Sequence, residues 1–185
     1  SLSTFSANSG YWVIVNEASS FCINDAIPTD PTIEYNLHSG ANLISFPSEG
    51  SIDISSGLPD DIESYVTGII SEGVAASYND ALGMWLGSLS EFSGGSGYWL
   101  ITSEAISFSF NLGSLVRTQF DNSISLTYLE GYELEQSTRQ AFYFVEEITL
   151  NGMPISKEDW VLVYNGNTLV GARKWNDGYT DVPAM

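Results

Sequence analysis

Apolar and polar residues alternate in short runs, with little of the three-to-four-residue spacing of amphipathic helices. Residues 33–37 and 42–46 read as strands, with Ser39-Gly40 as the turn between them. Residues 66–70, 74–78 and 84–89 read the same way. Residues 97–102 and 106–110 are predicted to form a hairpin around Ser103-Glu104-Ala105. The one helix predicted spans 60–66, where Pro59 and acidic residues mark a start. Beyond residue 111 the pattern predicts a strand over 123–129 and a longer one over 140–150. The longer strand ends at the turn dipeptide Asn151-Gly152. Ser156 is expected to cap a single helical turn over 156–160, and 160–164 with 168–175 should form a hairpin around Asn165-Gly166-Asn167. No strand is predicted after residue 175. The fold class is mainly β: a repeat module with one short helix, followed by an incomplete β-sandwich-like domain.

A repeat organises this pattern. Residues 1–23 reappear at 88–110, an offset of 87, with 14 of 23 positions identical. The matched core is Phe5-Ser6 with Phe92-Ser93 and Ser9-Gly10-Tyr11-Trp12 with Ser96-Gly97-Tyr98-Trp99. Two copies of one unit are present. The expected organisation is the end of a preceding unit over 1–23, a complete module over 24–110 and a different domain over 111–185. Pro28 and Pro31 punctuate the start of the complete module as a linker. The tyrosine or tryptophan of each Tyr-Trp pair should be buried, because neighbours on a strand point to opposite faces.

Charge supports the division. The chain carries 5 Lys and Arg against 23 Asp and Glu, a formal net charge of −18. Every base lies at or after Arg117. So few cations exclude phosphate-backbone recognition, hence nucleic acid, and disfavour anionic lipid. No apolar run reaches the roughly 20 residues of a membrane helix. The single cysteine, Cys22, permits no intrachain disulfide and is expected to be a buried, structural thiol. The acidity suits salty surroundings, where screening weakens self-repulsion.

Catalytic chemistry finds little support. The only histidine, His38, closes a strand, and no Gly-x-Ser-x-Gly elbow accompanies it. One His and one Cys make no zinc site, and no glycine-rich phosphate loop leads into a lysine-bearing helix. Glu146 and Glu147 are adjacent, so on a strand they face opposite ways and form no acid–nucleophile pair. No catalytic residue is assigned, and the chain is expected not to be an enzyme. Two ligand readings remain. Asn176, Asp177 and Asp181 surround Gly178 with oxygen donors suited to calcium, or they form an ordinary turn. Trp12, Trp99 and Trp175 are candidates for stacking on sugar rings, or they belong to the core.

The motifs Asn42-Leu43-Ile44-Ser45-Phe46-Pro47, Leu86-Gly87-Ser88-Leu89 and Ser96-Gly97-Tyr98-Trp99 resemble repeat modules of large secreted and surface proteins of marine bacteria, although Ala41 stands where that pattern often has Trp. Residues 140–175 resemble a companion β domain of the same proteins. The resemblance implies secretion or cell-surface display, and a non-catalytic structural, adhesive or interaction role. It implies partners among other modules of the parent protein, a polysaccharide or another surface protein. The alternatives are a carbohydrate-binding module with a structural calcium, and an accessory region of a secreted hydrolase.

Overall fold

The computed structural model describes residues 4–20, 22, 27, 29–113, 129, 132 and 139–185. The fold is mainly β, with fifteen strands and two one-turn helices among those residues. Two compact units are defined by internal contacts: Ser1–Thr67 with Glu91–Phe120, and Gly68–Ser90 with Asp121–Met185. Residues 68–90 of the sequence-defined module belong to the second unit.

In the first unit, three strands on the way in meet three on the way out. β1 (Tyr35–Leu37), β2 (Gly40–Ser45) and β3 (Ser51–Asp53) pair antiparallel with β9 (Ile106–Phe108), β8 (Gly97–Thr102) and β7 (Glu91–Ser93). Tyr35 lies opposite Phe108, Gly40 opposite Thr102 and Ser51 opposite Ser93, so one antiparallel ribbon runs through two interruptions. This corrects the predicted hairpin of 97–102 with 106–110. The chain bends at Ser103, whose N–H donates to the Tyr65 carbonyl and whose own carbonyl accepts from Ser39 Oγ. β8 and β9 therefore find their partners far away in sequence.

The buried face of this ribbon is aromatic. The Phe110 ring lies 4.9 Å from that of Phe92, and 5.1 Å from those of Phe46 and Phe108, each edge-on. Tyr35 stacks on Phe108 at 5.6 Å. Such pairs add to the several kcal/mol that burial of each ring contributes. Helices α1 (Ile54–Gly57) and α2 (Asp60–Glu63) close the core with Ile54, Leu58 and Ile62. α2 is shorter than predicted, because the chain enters β4 (Val66–Ser71) at Val66. α1 escaped the sequence pattern, although its signals are present: the Asp53 carboxylate caps the Ser55 N–H at 2.9 Å, and Gly57 ends it.

Residues 4–20 do not repeat the strands of their counterpart. They carry turns and no β-ladder, although the repeat of residues 88–110 leads one to expect two strands joined around Glu17-Ala18. Trp12 is exposed and Tyr11 half-buried, so neither lies in a core as expected, whereas Tyr98 does. Cys22 is also exposed, contrary to the buried thiol expected from its apolar neighbours.

In the second unit, Gly68–Ser71 of β4 pairs with β5 (Val74–Asn79), and β5 with β6 (Met84–Gly87). The rest lies in the C-terminal segment. β10 (Ala141–Val145) ends earlier than predicted, and β11 (Thr149–Leu150) then turns through Asn151-Gly152 into β12 (Met153–Pro154). Both turn residues have positive φ, 54° and 80°, as the Asn-Gly signal implied. Residues 156–159 form a turn tied by Ser156 to Asp159, not a helix. β13 (Trp160–Asn165) and β14 (Thr168–Lys174) make the predicted hairpin. The sequence pattern missed β15 (Thr180–Ala184), which pairs with β10 along its whole length. The strand expected over 123–129 lies, apart from Leu129, outside the described residues.

Candidate functional site

Two places gather polar chemistry, one in each unit. In the second unit, Asp181 is the second residue of β15 and is almost wholly buried. Its carboxylate accepts from the Ser88 N–H and the Ser88 hydroxyl, both at 2.7 Å, and from the Ala75 N–H at 3.2 Å. Arg173 of β14 supplies the counter-charge at 3.1 Å. The Arg173 guanidinium also donates to the carbonyls of Asp181 and Gly73. Burial raises the Asp181 carboxyl above the ordinary carboxylate range, against the opposing pull of Arg173. The cluster binds β5 and the end of β6 to β14 and β15, which are roughly a hundred residues apart in the chain. A fully hydrogen-bonded buried pair of this kind specifies which strands meet.

That cluster decides how the calcium candidates lie. The carboxylate of Asp181 is taken up by Arg173, Ser88 and Ala75. Asp177 projects toward Lys157 at 3.9 Å, and both side chains are exposed. Asn176 contributes its backbone N–H to the Thr180 hydroxyl at 3.0 Å. The carboxylates of Asp177 and Asp181 are turned to different cations, so these residues do not fit a calcium ion. Among the described residues no group of three His, Cys, Asp or Glu side chains is arranged to hold a metal. No helix among them is long and apolar enough to cross a membrane.

In the first unit, an open concavity of about 410 Å³ lies along the half-exposed face of β2 and β8. Trp99 lines it with His38, Asn36, Ala41 and Leu43, and Asn8 and Ser9 line it from the N-terminal segment. Much of its polar surface is committed. The Asn42 amide donates to the carbonyls of His38 and Gly40, and its oxygen accepts from the His38 N–H. His38 Nδ1 lies 2.7 Å from the Ser39 carbonyl. Asn36 accepts from Ser107 Oγ at 2.7 Å. Of the sugar-stacking candidates, Trp99 is half-buried beside this concavity and Trp12 is exposed. Trp175 is 6% exposed and belongs to the core of the second unit, a correction to its proposed role as a platform.

The N-terminal segment reaches the same face. Ser45 Oγ donates to the Ala7 carbonyl at 2.6 Å, and the Gly10 N–H donates to the Leu43 carbonyl at 3.1 Å. A Cβ on Gly10 would press into the Leu43 side chain and the Ile44 carbonyl, so only glycine fits. The Gly10 Cα lies 3.9 Å from where Gly97 would carry its own Cβ. The two repeat-equivalent glycines thus meet.

The copies also share a corner. The Phe5 and Tyr11 rings meet edge-on at 4.8 Å and 78°, and those of Phe92 and Tyr98 at 5.0 Å and 79°. The Ser6 N–H donates to the Tyr11 hydroxyl at 2.6 Å, and the Ser93 N–H to the Tyr98 hydroxyl at 2.7 Å. Ser9 donates back to the Ser6 carbonyl at 3.2 Å, and Ser96 to that of Ser93 at 3.3 Å. Sequence reasoning found the residues of this corner but not its hydrogen bonds, which need a tyrosine five residues after a serine to fold back on it. Compared with known proteins, the chain matches no family model, no curated protein and no solved structure.

Proposed function

We propose that this chain is a non-catalytic structural or interaction module of a secreted, modular surface protein, in which a duplicated corner is the recurring element. The single observation carrying the reading is the agreement of the two corners in ring contact, tyrosine hydrogen bond and turn. The repeat preserves this latch of Phe, Ser and Tyr in both copies, and it keeps Trp12 and Trp99 next to it. The polar atoms that converge elsewhere are spent on the protein itself, around Asp181 and around Asn42. The Trp99 concavity favours a second reading, recognition of a neutral saccharide by the indole face and flanking amides. Titrating the labelled protein with neutral and acidic oligosaccharides, while following the indole N–H signals of Trp12 and Trp99, separates the two. The structural reading expects no saturable shift. A saturable shift at Trp99 would replace it with the saccharide reading.

A further inference from the structure

The outer edge of β2 carries backbone groups that the fold leaves open. The β2–β8 register and the bond from the Phe46 N–H to the Ser96 carbonyl, at 3.3 Å, set the alternation. Asn42, Ile44 and Phe46 turn their backbone polar groups toward β8, so those of Ala41, Leu43 and Ser45 point away from it. Two of the outward carbonyls are taken: Leu43 accepts from the Gly10 N–H at 3.1 Å, and Ser45 from the Tyr35 hydroxyl at 2.8 Å. Among the described residues no strand pairs with β2 on this side, and the Leu43 N–H and the Ala41 N–H and carbonyl have no hydrogen-bond partner. Both residues line the concavity, beside Trp99, His38 and Asn36. The edge accepts chain: Ala7 and Gly10 already lie against it through two hydrogen bonds. Open strand edges are templates for pairing with an extended segment.

We infer that this edge is a docking site for an extended, cationic peptide segment of a partner protein, held by main-chain pairing along β2. The inference rests on the interaction role proposed above and names its class of partner. The open groups fit one mode of addition. A guest residue donates its N–H to the Ala41 carbonyl and accepts the Leu43 N–H with its own carbonyl, the pattern of a strand parallel to β2. That mode leaves the Leu43 carbonyl to Gly10. The guest residue then lies opposite Asn42, and alternation puts its two neighbours on the face of Leu43 and Trp99. Charge selects those neighbours. The described residues of the first unit include acids and no Lys or Arg. Exposed Glu34 precedes β1, and exposed Glu104 lies in the bend next to Ser103. A lysine or arginine beside the guest residue meets this negative field and lays its cation against the Trp99 indole. A neutral sugar would use the indole and leave the strand-spaced main-chain groups without their match.

The test titrates the isotope-labelled full-length protein and follows the backbone amides of Ala41 and Leu43 and the Trp99 indole N–H. The probes are acetylated, amidated pentapeptides: Val-Lys-Val-Lys-Val, Val-Glu-Val-Glu-Val, and the basic sequence with every valine N-methylated. A neutral hexasaccharide is the fourth probe. The expected result is a saturable shift of all three signals with the basic peptide, weakening as salt is raised. N-methylation removes the guest N–H that pairs with the Ala41 carbonyl, so it should weaken binding several-fold, as should the acidic sequence. No saturable shift with the basic peptide, equal binding of the acidic or the N-methylated peptide, or shifts that spare Leu43 would overturn the inference. A Trp99 shift with the hexasaccharide alone would overturn it together with the role it rests on, in favour of the saccharide reading. Failure of all four probes would overturn it and leave the structural role standing.

Discussion

The Ser93 N–H donates to the Tyr98 hydroxyl at 2.7 Å, and 87 residues earlier the Ser6 N–H makes the same bond to Tyr11 at 2.6 Å. The environments differ: Tyr98 is buried in an aromatic core, while Tyr11 is half-buried on a segment without strands. Tyr98→Phe removes the acceptor for a partly buried N–H and should cost about 1–3 kcal/mol. Tyr11→Phe, which leaves a more accessible N–H for water, should cost under about 0.5 kcal/mol. Denaturant midpoints of the two variants check the contrast, and equal losses would show that the N-terminal corner is as buried as its counterpart.

The buried ion pair gives a second expectation. Arg173→Met leaves the Asp181 carboxylate without its counter-charge, and removing one partner of such a pair typically costs about 3–5 kcal/mol. Arg173→Met with Asp181→Leu removes both charges and should recover part of that loss. A double-mutant cycle by chemical denaturation measures the coupling. A single-variant loss below about 1 kcal/mol would mean that water reaches the carboxylate.

β15 shows where the sequence pattern runs out. Its Asp and Pro read as a turn, yet Asp181 is buried because Arg173, Ser88 and Ala75 satisfy it, and Pro183 pairs opposite Phe142. Strand alternation found the residues of β2, β4, β5, β8, β13 and β14, because each reflects a local rule of side-chain direction. The pairing of β8 with β2 and of β9 with β1 depends on contacts some fifty to seventy residues apart, which no local rule contains. The candidate tryptophans divided for a similar reason: the sequence offers no sign that Trp175 is enclosed while Trp12 is open.

Alkaline pH should destabilise the first unit. Burial pushes the Tyr35 hydroxyl up to about 12, and it also raises Tyr98. An unfolded tyrosine ionises near pH 10, so above that the unfolded chain releases protons that the folded chain retains. Stability from these groups is complete below about pH 10 and is lost as pH rises toward about 12. Tyr35→Phe should flatten this limb, at the cost of the 2.8 Å bond from its hydroxyl to the Ser45 carbonyl. Tyrosinate absorbance and circular dichroism against pH follow both events. A limb unchanged in Tyr35→Phe would assign the effect elsewhere.

Close backbone crossings give a steric prediction. A Cβ on Gly171 would collide with the Pro183 carbonyl, where β14 lies against β15. The obstacle is backbone, so it cannot swing aside. Gly171→Ala should therefore lower stability by about 1–3 kcal/mol, as overpacking does. Gly113→Ala, where nothing lies within 4 Å, should be close to neutral. Thermal melts of the pair provide the comparison, and a neutral Gly171→Ala would show that the strands separate easily.

Salt should stabilise the protein, because a net charge of −18 opposes compaction and screening relieves it. Since Asp177 and Asp181 point to different partners, millimolar calcium at constant ionic strength should add nothing beyond sodium chloride. A further rise in melting temperature with calcium, abolished by Asp177→Asn, would restore the metal site.

The claim that the two copies are one structural element is tested most directly by amide hydrogen exchange at Ser6 and Ser93. The Ser93 amide should exchange only through near-global unfolding. The Ser6 amide, bonded to Tyr11 in a segment without strands, should exchange at least about tenfold more slowly than an unstructured serine and faster than Ser93. Tyr11→Phe should release Ser6 and leave Ser93 unchanged. Exchange of Ser6 at the unstructured rate in the native chain would contradict the account, because the N-terminal copy would then share the sequence of the corner without its structure.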